Sequence, residues 1–258
     1  MRVYWVRGLI AVQLLGLAIP RIKSQEAAAP SERQPVLVEL FTSEGCSDCP
    51  PADALLERLD ATQFVPGAQA IVLSEHVTYW DHEGWRDPFS LEALTARQER
   101  YVEHFGLGSS YTPQMIVDGA TQFVGSNAQA LSRAVANAAV SKKRPLKIEG
   151  VLWNRDSVQF SVRGAAGTGT ELIAVLAENA THSEVSRGEN AGRTLHHVAV
   201  VRVMKEFGSN AADGQQLRLS ATGMSHGGEA KDPIRLVVLL VDRKSGRVLS
   251  AAELTLSR

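Results

Sequence analysis

With 258 residues, 44% of them hydrophobic and 21% charged, the chain has room for one large or two modest domains with real cores. A net charge of −1 and a pI near 6.7 exclude the strongly basic profile of a nucleic-acid binder or of a protein held on anionic membranes. The chain has only two cysteines, with two residues between them, so a multiply cross-linked scaffold is excluded as well.

Residues 1–30 form a regime of their own. Arg2 and Arg7 bracket the start of an apolar stretch from Gly8 to Ile19, which is short for a bilayer span but suits a secretory signal. Ala27-Ala28-Ala29-Pro30 offers small residues for cleavage. The segment reads as a signal peptide and short linker, the other reading being an uncleaved anchor. The mature chain is then periplasmic or secreted, with no stable membrane insertion.

The first strand is expected over Val36–Phe41, followed by a polar turn and Cys46-Ser47-Asp48-Cys49. Pro50 and Pro51 suit the first turn of a helix, where missing N–H groups cost least. That helix carries Leu55, Leu56 and Leu59 and fades near Phe64; Ala70–Leu73 reads as a second, parallel strand. An aromatic and polar segment, His76 to Phe89, shows neither helical nor strand periodicity. Ser90 is expected to cap a helix reaching Phe105, with Leu91, Leu94 and Tyr101 on its buried side. After a glycine-rich loop, Thr112-Pro113 leads into two short strands around Asp118-Gly119, a hairpin signal, and Asn127 starts an alanine-rich helix.

Beyond Pro145 the texture changes. Val158–Val162, Leu172–Ala177, Val198–Val203, Leu217–Leu219, Ile234–Val241 and Val248–Leu254 are β-rich runs, with a long irregular piece from Ser183 to Leu195. The expected organisation is an α/β domain over residues 31–144 followed by an antiparallel β-sandwich domain over residues 145–258.

A bridge between cysteines three apart closes too small a loop to restrict the unfolded chain, so the pair points to redox chemistry over stapling. At a helix start, unpaired N–H groups and the helix dipole favour a thiolate. Cys46 is expected to be the exposed nucleophile and Cys49 the resolving thiol. Ser47 can donate to the thiolate and Asp48 disfavours it.

The element order of residues 36–141 resembles that of thioredoxin, giving the fold class of an α/β thioredoxin-like domain plus sandwich. The resemblance implies that Pro113, after Thr112, faces the cysteine pair through a cis peptide bond. It also implies that an acid in the first strand helps move the inner cysteine's proton, a role open to Glu39; the plainer reading is that Glu39 faces solvent or pairs with a lysine. Tyr79, Trp80, Trp85 and Tyr111 are candidates for a substrate groove, and the bland alternative is that aromatics cover the seam between domains. His76, with His82 and Glu83, admits a second reading in which Cys46, Cys49 and His76 bind copper(I). His196-His197 alternate, so at most one faces any site, and a structural role is the simpler reading.

Cys46-Ser47-Asp48-Cys49-Pro50-Pro51-Ala52-Asp53 and Tyr111-Thr112-Pro113-Gln114 resemble a family of secreted bacterial proteins catalogued as domain of unknown function 1223. The resemblance extends through His76-Val77, Tyr79-Trp80-Asp81, Gly84-Trp85, Asp87, Glu189-Asn190, Gly192-Arg193 and Val200-Val201-Arg202. It supplies no substrate. The functional expectation is a thiol–disulfide oxidoreductase without a cofactor, acting on a protein or small-molecule disulfide and served by an unidentified redox partner. The alternative is a copper(I)- or protein-binding module without redox turnover.

Overall fold

In the computed structural model the described residues are 1, 33–154, 156–165, 167–208, 213–222, 224 and 233–257. Apart from Met1, the signal expected over residues 1–30 lies outside them. Strand β1 (Gln34–Thr42) is buried over its last seven residues. The chain then turns through the cysteine loop into helix α1 (Pro50–Thr62), whose first two positions are the prolines. The helix stops at Gln63, which is left-handed with φ 48° and returns its N–H to Leu59 O. The Gln63 amide brackets Ala70, accepting from its N–H at 2.8 Å and donating to its carbonyl at 3.0 Å. One residue thus ends the helix with its backbone and fixes with its side chain the start of β2 (Ala68–His76), which runs parallel to β1 from Gln34↔Ala68 to Thr42↔His76.

Helix α2 (Glu92–Phe105) begins one residue later than the sequence suggests, with Leu91 as its uncapped first neighbour. Ser90 instead donates to Asp81 Oδ2 at 2.8 Å and to the Asp87 carbonyl at 3.0 Å, bracing the preceding segment. Strands β3 (Gln114–Val117) and β4 (Thr121–Val124) form the expected hairpin, with Asp118 and Gly119 at positive φ. Helix α3 (Ala128–Val140) is capped by Asn127, whose Oδ1 accepts from the Ala130 N–H.

The remaining strands are β5 (Lys147–Asn154), β6 (Ser157–Arg163), β7 (Thr170–Glu184), β8 (Thr194–Glu206), β9 (Leu217–Ser220), β10 (Ile234–Asp242) and β11 (Val248–Leu256). They correct the expected fold class. No α/β thioredoxin-like domain stands apart from a β-sandwich domain. Among the described residues eleven strands outnumber three helices, and both halves share one mixed eight-stranded sheet, ordered β11-β10-β7-β8-β2-β1-β3-β4. The physical reason is the exposed ladder that β2 would otherwise present: β8 takes that edge in parallel register at Ser74↔Val200. A three-stranded sheet, β5-β6-β9, packs on this large sheet through Phe160, Leu217 and Leu219 against Leu172, Leu176 and Leu236. Strand β5, whose side chains are nearly all partly or fully exposed, carries too little apolar pattern to be read from sequence.

The hairpin tip binds the halves together a second time. Asp118 accepts from Leu37 N–H with Oδ1 and from Val248 N–H with its carbonyl, both at 2.9 Å. A Cβ at Gly119 would lie 2.3 Å from Gly246 O, so only glycine permits that approach.

Alternation along β1 turns Leu40 toward Ala52 of α1, and Glu39 and Phe41 toward Tyr101 of α2 on the opposite face. There Arg97 Nε donates to Glu39 Oε1 at 2.6 Å and Tyr101 Oη donates to Glu39 Oε2 at 2.7 Å. Glu75, fully buried, lies 3.7 Å from the same Arg97 and accepts no hydrogen bond. Burial first, and then the neighbouring Glu39 carboxyl, hold the Glu75 carboxyl well above its ordinary value of 4.5, against the pull of Arg97.

The native state therefore keeps a proton on Glu75 that the unfolded chain releases. This contribution is fully present below about pH 4.5 and is lost as pH rises toward the native value, at up to about 1.4 kcal/mol per pH unit. Glu75→Gln is expected to raise the melting temperature at pH 7–8 and to flatten the decline above pH 4.5 in a thermal-denaturation series.

Candidate functional site

The loop between β1 and α1 is held by its own backbone. Cys46 N–H reaches Ser43 O at 3.2 Å, Cys49 N–H reaches Cys46 O at 3.3 Å, and Ala52 and Asp53 N–H reach Cys49 O at 2.8 and 3.1 Å. Cys46 and Cys49 are joined as a disulfide at the N-terminal end of α1. Sequence spacing predicts an exposed Cys46. Instead it is 1% exposed and Cys49 is 0% exposed, while Ser47 and Asp48 between them face outward.

The cover comes from the turn between β7 and β8. Asn190, itself buried, donates from Nδ2 to the carbonyls of Glu44 and Cys46, both at 2.9 Å. Its neighbour Glu189 accepts from Ser47 N–H at 3.0 Å, and this contact holds the exposed Glu189 carboxyl below its ordinary range. The turn closes on itself through Gly192 N–H to Val185 O at 2.7 Å and Val185 N–H to Arg193 O at 2.9 Å. At Gly188 a Cβ would stand 3.2 Å from that of Trp85, so the strap is wedged between the cysteine loop and the aromatic segment.

Behind the disulfide lies a buried set of acids and imidazoles. Glu44 Oε2 accepts from Trp85 Nε1 at 2.8 Å, and its Oε1 accepts from Ser183 Oγ and faces His197 Nε2 at 3.2 Å. His197 Nδ1 lies 3.8 Å from Asp53 Oδ1. Burial alone would lower the His197 imidazole, but Asp53 and Glu44 push it up to about 10. His76 meets the edge of the His197 ring at 4.6 Å between centroids and sets its Nδ1 2.7 Å from Asp87 Oδ2. Burial would raise Asp87, but His76, with the N–H groups of Glu44 and Phe89, holds it below the ordinary carboxylate range. Strand β8 kinks at Ala199, at φ 49°, two residues after His197.

The family model described as "Protein of unknown function (DUF1223)" matches residues 37–240, well over half of the chain. The chain belongs to the DUF1223 family. In structure it is similar to a protein from Agrobacterium tumefaciens solved by X-ray crystallography, with a TM-score of 0.63 and 22% identity over 86% of this chain and 95% of that one. It is also similar to HBP35 of Porphyromonas gingivalis, with a TM-score of 0.58 and 14% identity over 88% and 77% of the two chains. At these identities the likeness is one of fold. No curated protein matches the sequence.

In this DUF1223 protein several sequence-selected residues converge on the cysteine loop. The Thr112–Pro113 bond is cis, and Gly125 packs between Pro113, Ala52 of α1 and Leu40, each within 3.0 Å of where its Cβ would stand. Trp80 lies over Gly45 and donates from Nε1 to Thr112 Oγ1 at 2.7 Å, spanning the cysteine and proline loops. Tyr79 stands beside Trp80 and is 37% exposed; Tyr111, half-buried, donates to Gln122.

Others are placed elsewhere. Trp85 is committed to Glu44 and the strap. Glu39 is engaged with α2 on the far face, so it faces neither solvent nor a lysine and makes none of its contacts with the cysteines. His76 is held by Asp87 and Ser74, while His82 and Glu83 face outward. Among the described residues no group of three or more His, Cys, Asp or Glu side chains is placed to hold a metal ion.

Glu44, Asp53, Asp87, Glu189 and Asn190 are site residues that reasoning from spacing alone passes over. Asp53 closes the Cys-x-x-Cys-Pro-Pro-Ala-Asp run, and Glu189-Asn190 lies in the longest irregular piece, which was the available signal. Of the histidine pair, His197 is buried in the site and His196 faces outward, so only one of the two faces it, as their alternation requires.

Asn190→Ala removes two of the bonds that hold the strap to the cysteine loop, leaving that from Ser47 N–H to Glu189. Each is worth on the order of 1 kcal/mol net, so reduction of the native disulfide by dithiothreitol is expected to accelerate roughly tenfold or more. The check is timed acid quenching and thiol counting.

Proposed function

We propose that this protein is a thiol–disulfide oxidoreductase acting through Cys46 and Cys49. The observation that carries the reading is the joining of the chain's only two cysteines at the start of α1, with the Thr112–Pro113 loop set against the same helix turn. In the forward step the thiolate of a dithiol attacks Cys46 Sγ. The Cys46–Cys49 bond breaks, Cys49 leaves with the electron pair and takes up a proton, and a mixed disulfide forms at Cys46. The second thiol of the substrate, deprotonated, displaces Cys46. The products are a substrate disulfide and a protein dithiol, and the reverse sequence reduces a disulfide.

Prolines at the first two helical positions withdraw two N–H groups from the thiolate, favouring a less acidic cysteine than a bare helix start would give. Tyr79, Trp80 and Tyr111 around Thr112 offer an aromatic rim to a protein or small-molecule substrate. A disulfide formed by the chain's full cysteine content accords with a periplasmic or secreted location, where such bonds persist. Among the described residues no helix is long and apolar enough to cross a membrane. Turnover needs a second thiol or disulfide partner to restore the starting state.

Cys49→Ser is expected to trap a mixed disulfide with glutathione at Cys46, whereas Cys46→Ser reacts at least roughly tenfold more slowly through its inner thiol. Mass spectrometry after incubation with oxidised glutathione measures both. A wild-type disulfide that resists dithiols under native conditions, or equal reactivity of the two variants, would overturn the reading.

A further inference from the structure

Exchange chemistry calls for two thiols and a groove, yet the C-terminal half of the chain also sends a histidine to the base of the cysteine helix. Asp53 lies four residues after Cys49, so the two share a face of α1, and both are buried. Its N–H already bonds the Cys49 carbonyl. On its other side Asp53 Oδ1 looks at His197 Nδ1 across 3.8 Å, and neither atom has a hydrogen-bond partner. This is the one place in the buried set where an imidazole nitrogen and a carboxyl oxygen confront each other with both positions open.

The groups facing His197 come from every neighbouring element. Glu44 approaches from the cysteine loop, Asp53 from α1 and His76 from β2, with Asp87 beyond His76. Phe89 stacks edge-on, and on β8 itself Arg202 lies over the Phe89 ring at 5.3 Å. A cysteine leaving as thiolate in so closed a place has no bulk water to protonate it, and an uncompensated charge there is costly.

We infer that Asp53 and His197 are positioning residues that store and return the proton exchanged with the Cys49 thiol. This rests on the exchange reading above. When the disulfide opens, Cys49 Sγ keeps the bonding pair and receives the proton of His197 Nδ1, passed through the Asp53 carboxylate, which ends the step ionised as it began while His197 is left neutral. In the reverse direction the Cys49 thiol returns that proton along the same path and attacks the mixed disulfide. No electron enters or leaves beyond the pair exchanged between sulfurs. The C-terminal half is thereby part of the site, because β8 carries the proton store.

The test uses the full chain. Reduction by dithiothreitol is timed from pH 6 to 10 and normalised to reagent thiolate, for wild type, Asp53→Asn and His197→Gln. Both variants are expected to be slower at pH 7 by roughly tenfold to a hundredfold, with the gap closing toward pH 10 as His197 loses its proton. Variants that keep the wild-type profile would overturn the inference while leaving the exchange reading intact. A wild-type disulfide inert to dithiothreitol would sink the exchange reading itself. Should the variants fail to fold, the wild-type protein decides the matter by NMR: the His197 ring is expected to titrate at different pH in the disulfide and dithiol forms, and identical midpoints would refute the proton store.

Discussion

The carboxyl of Glu44 is the point on which the site depends. It sits wholly inside the protein and receives Trp85 from the segment after β2, Ser183 from β7 and His197 from β8. Burying a carboxylate is costly unless its oxygens are engaged, so the cysteine loop is complete only with these stretches in place. The loop's backbone depends on the same assembly, because Glu44 N–H goes to Asp87 and its carbonyl to Asn190. The cysteine pair is therefore set by the whole chain, far beyond the short motif that announces it.

Two buried charged sets lie on opposite faces of β1 and β2, separated by the alternation of the strands. Glu39, Glu75, Arg97 and Tyr101 fill the α2 face; Glu44, His197, Asp53, His76 and Asp87 gather toward α1 and β8. In the first, Arg97 and Tyr101 occupy both oxygens of Glu39, and the carboxyl left without a hydrogen bond is that of Glu75. The second also contains open atoms, and it borders the disulfide. That difference moves the search for a proton-handling acid from Glu39 to Asp53.

The local elements were legible because they follow from short-range rules. Pro50-Pro51 marks a helix start, Asp118-Gly119 a tight hairpin and Asn127 a cap, and all three appear where those residues demand. The joining of the halves was not legible. A parallel strand contact such as β2 with β8 leaves no mark in either strand beyond a continuous apolar run, and that pattern equally suits a separate sandwich. The site was half legible for the same reason. Cys46, Cys49, Thr112 and Trp80 announce themselves by motif or rarity, whereas the value of His197 and Asn190 depends on a contact more than a hundred residues away in the chain.

The seam between β2 and β8 also governs how this protein can be divided. A fragment ending after α3 keeps β1, α1 and the Thr112–Pro113 loop around the cysteine motif, but it loses the strap over Cys46 and strips β8 from the flank of β2. The edge of β2 at Ser74, where β8 now pairs through Val200, would then be uncovered beside the buried side chains of Val72 and Leu73. Such an edge invites pairing with copies of itself. The C-terminal half thus serves as a built-in guard against self-association, and any minimal version of the cysteine domain must carry a substitute for that strand.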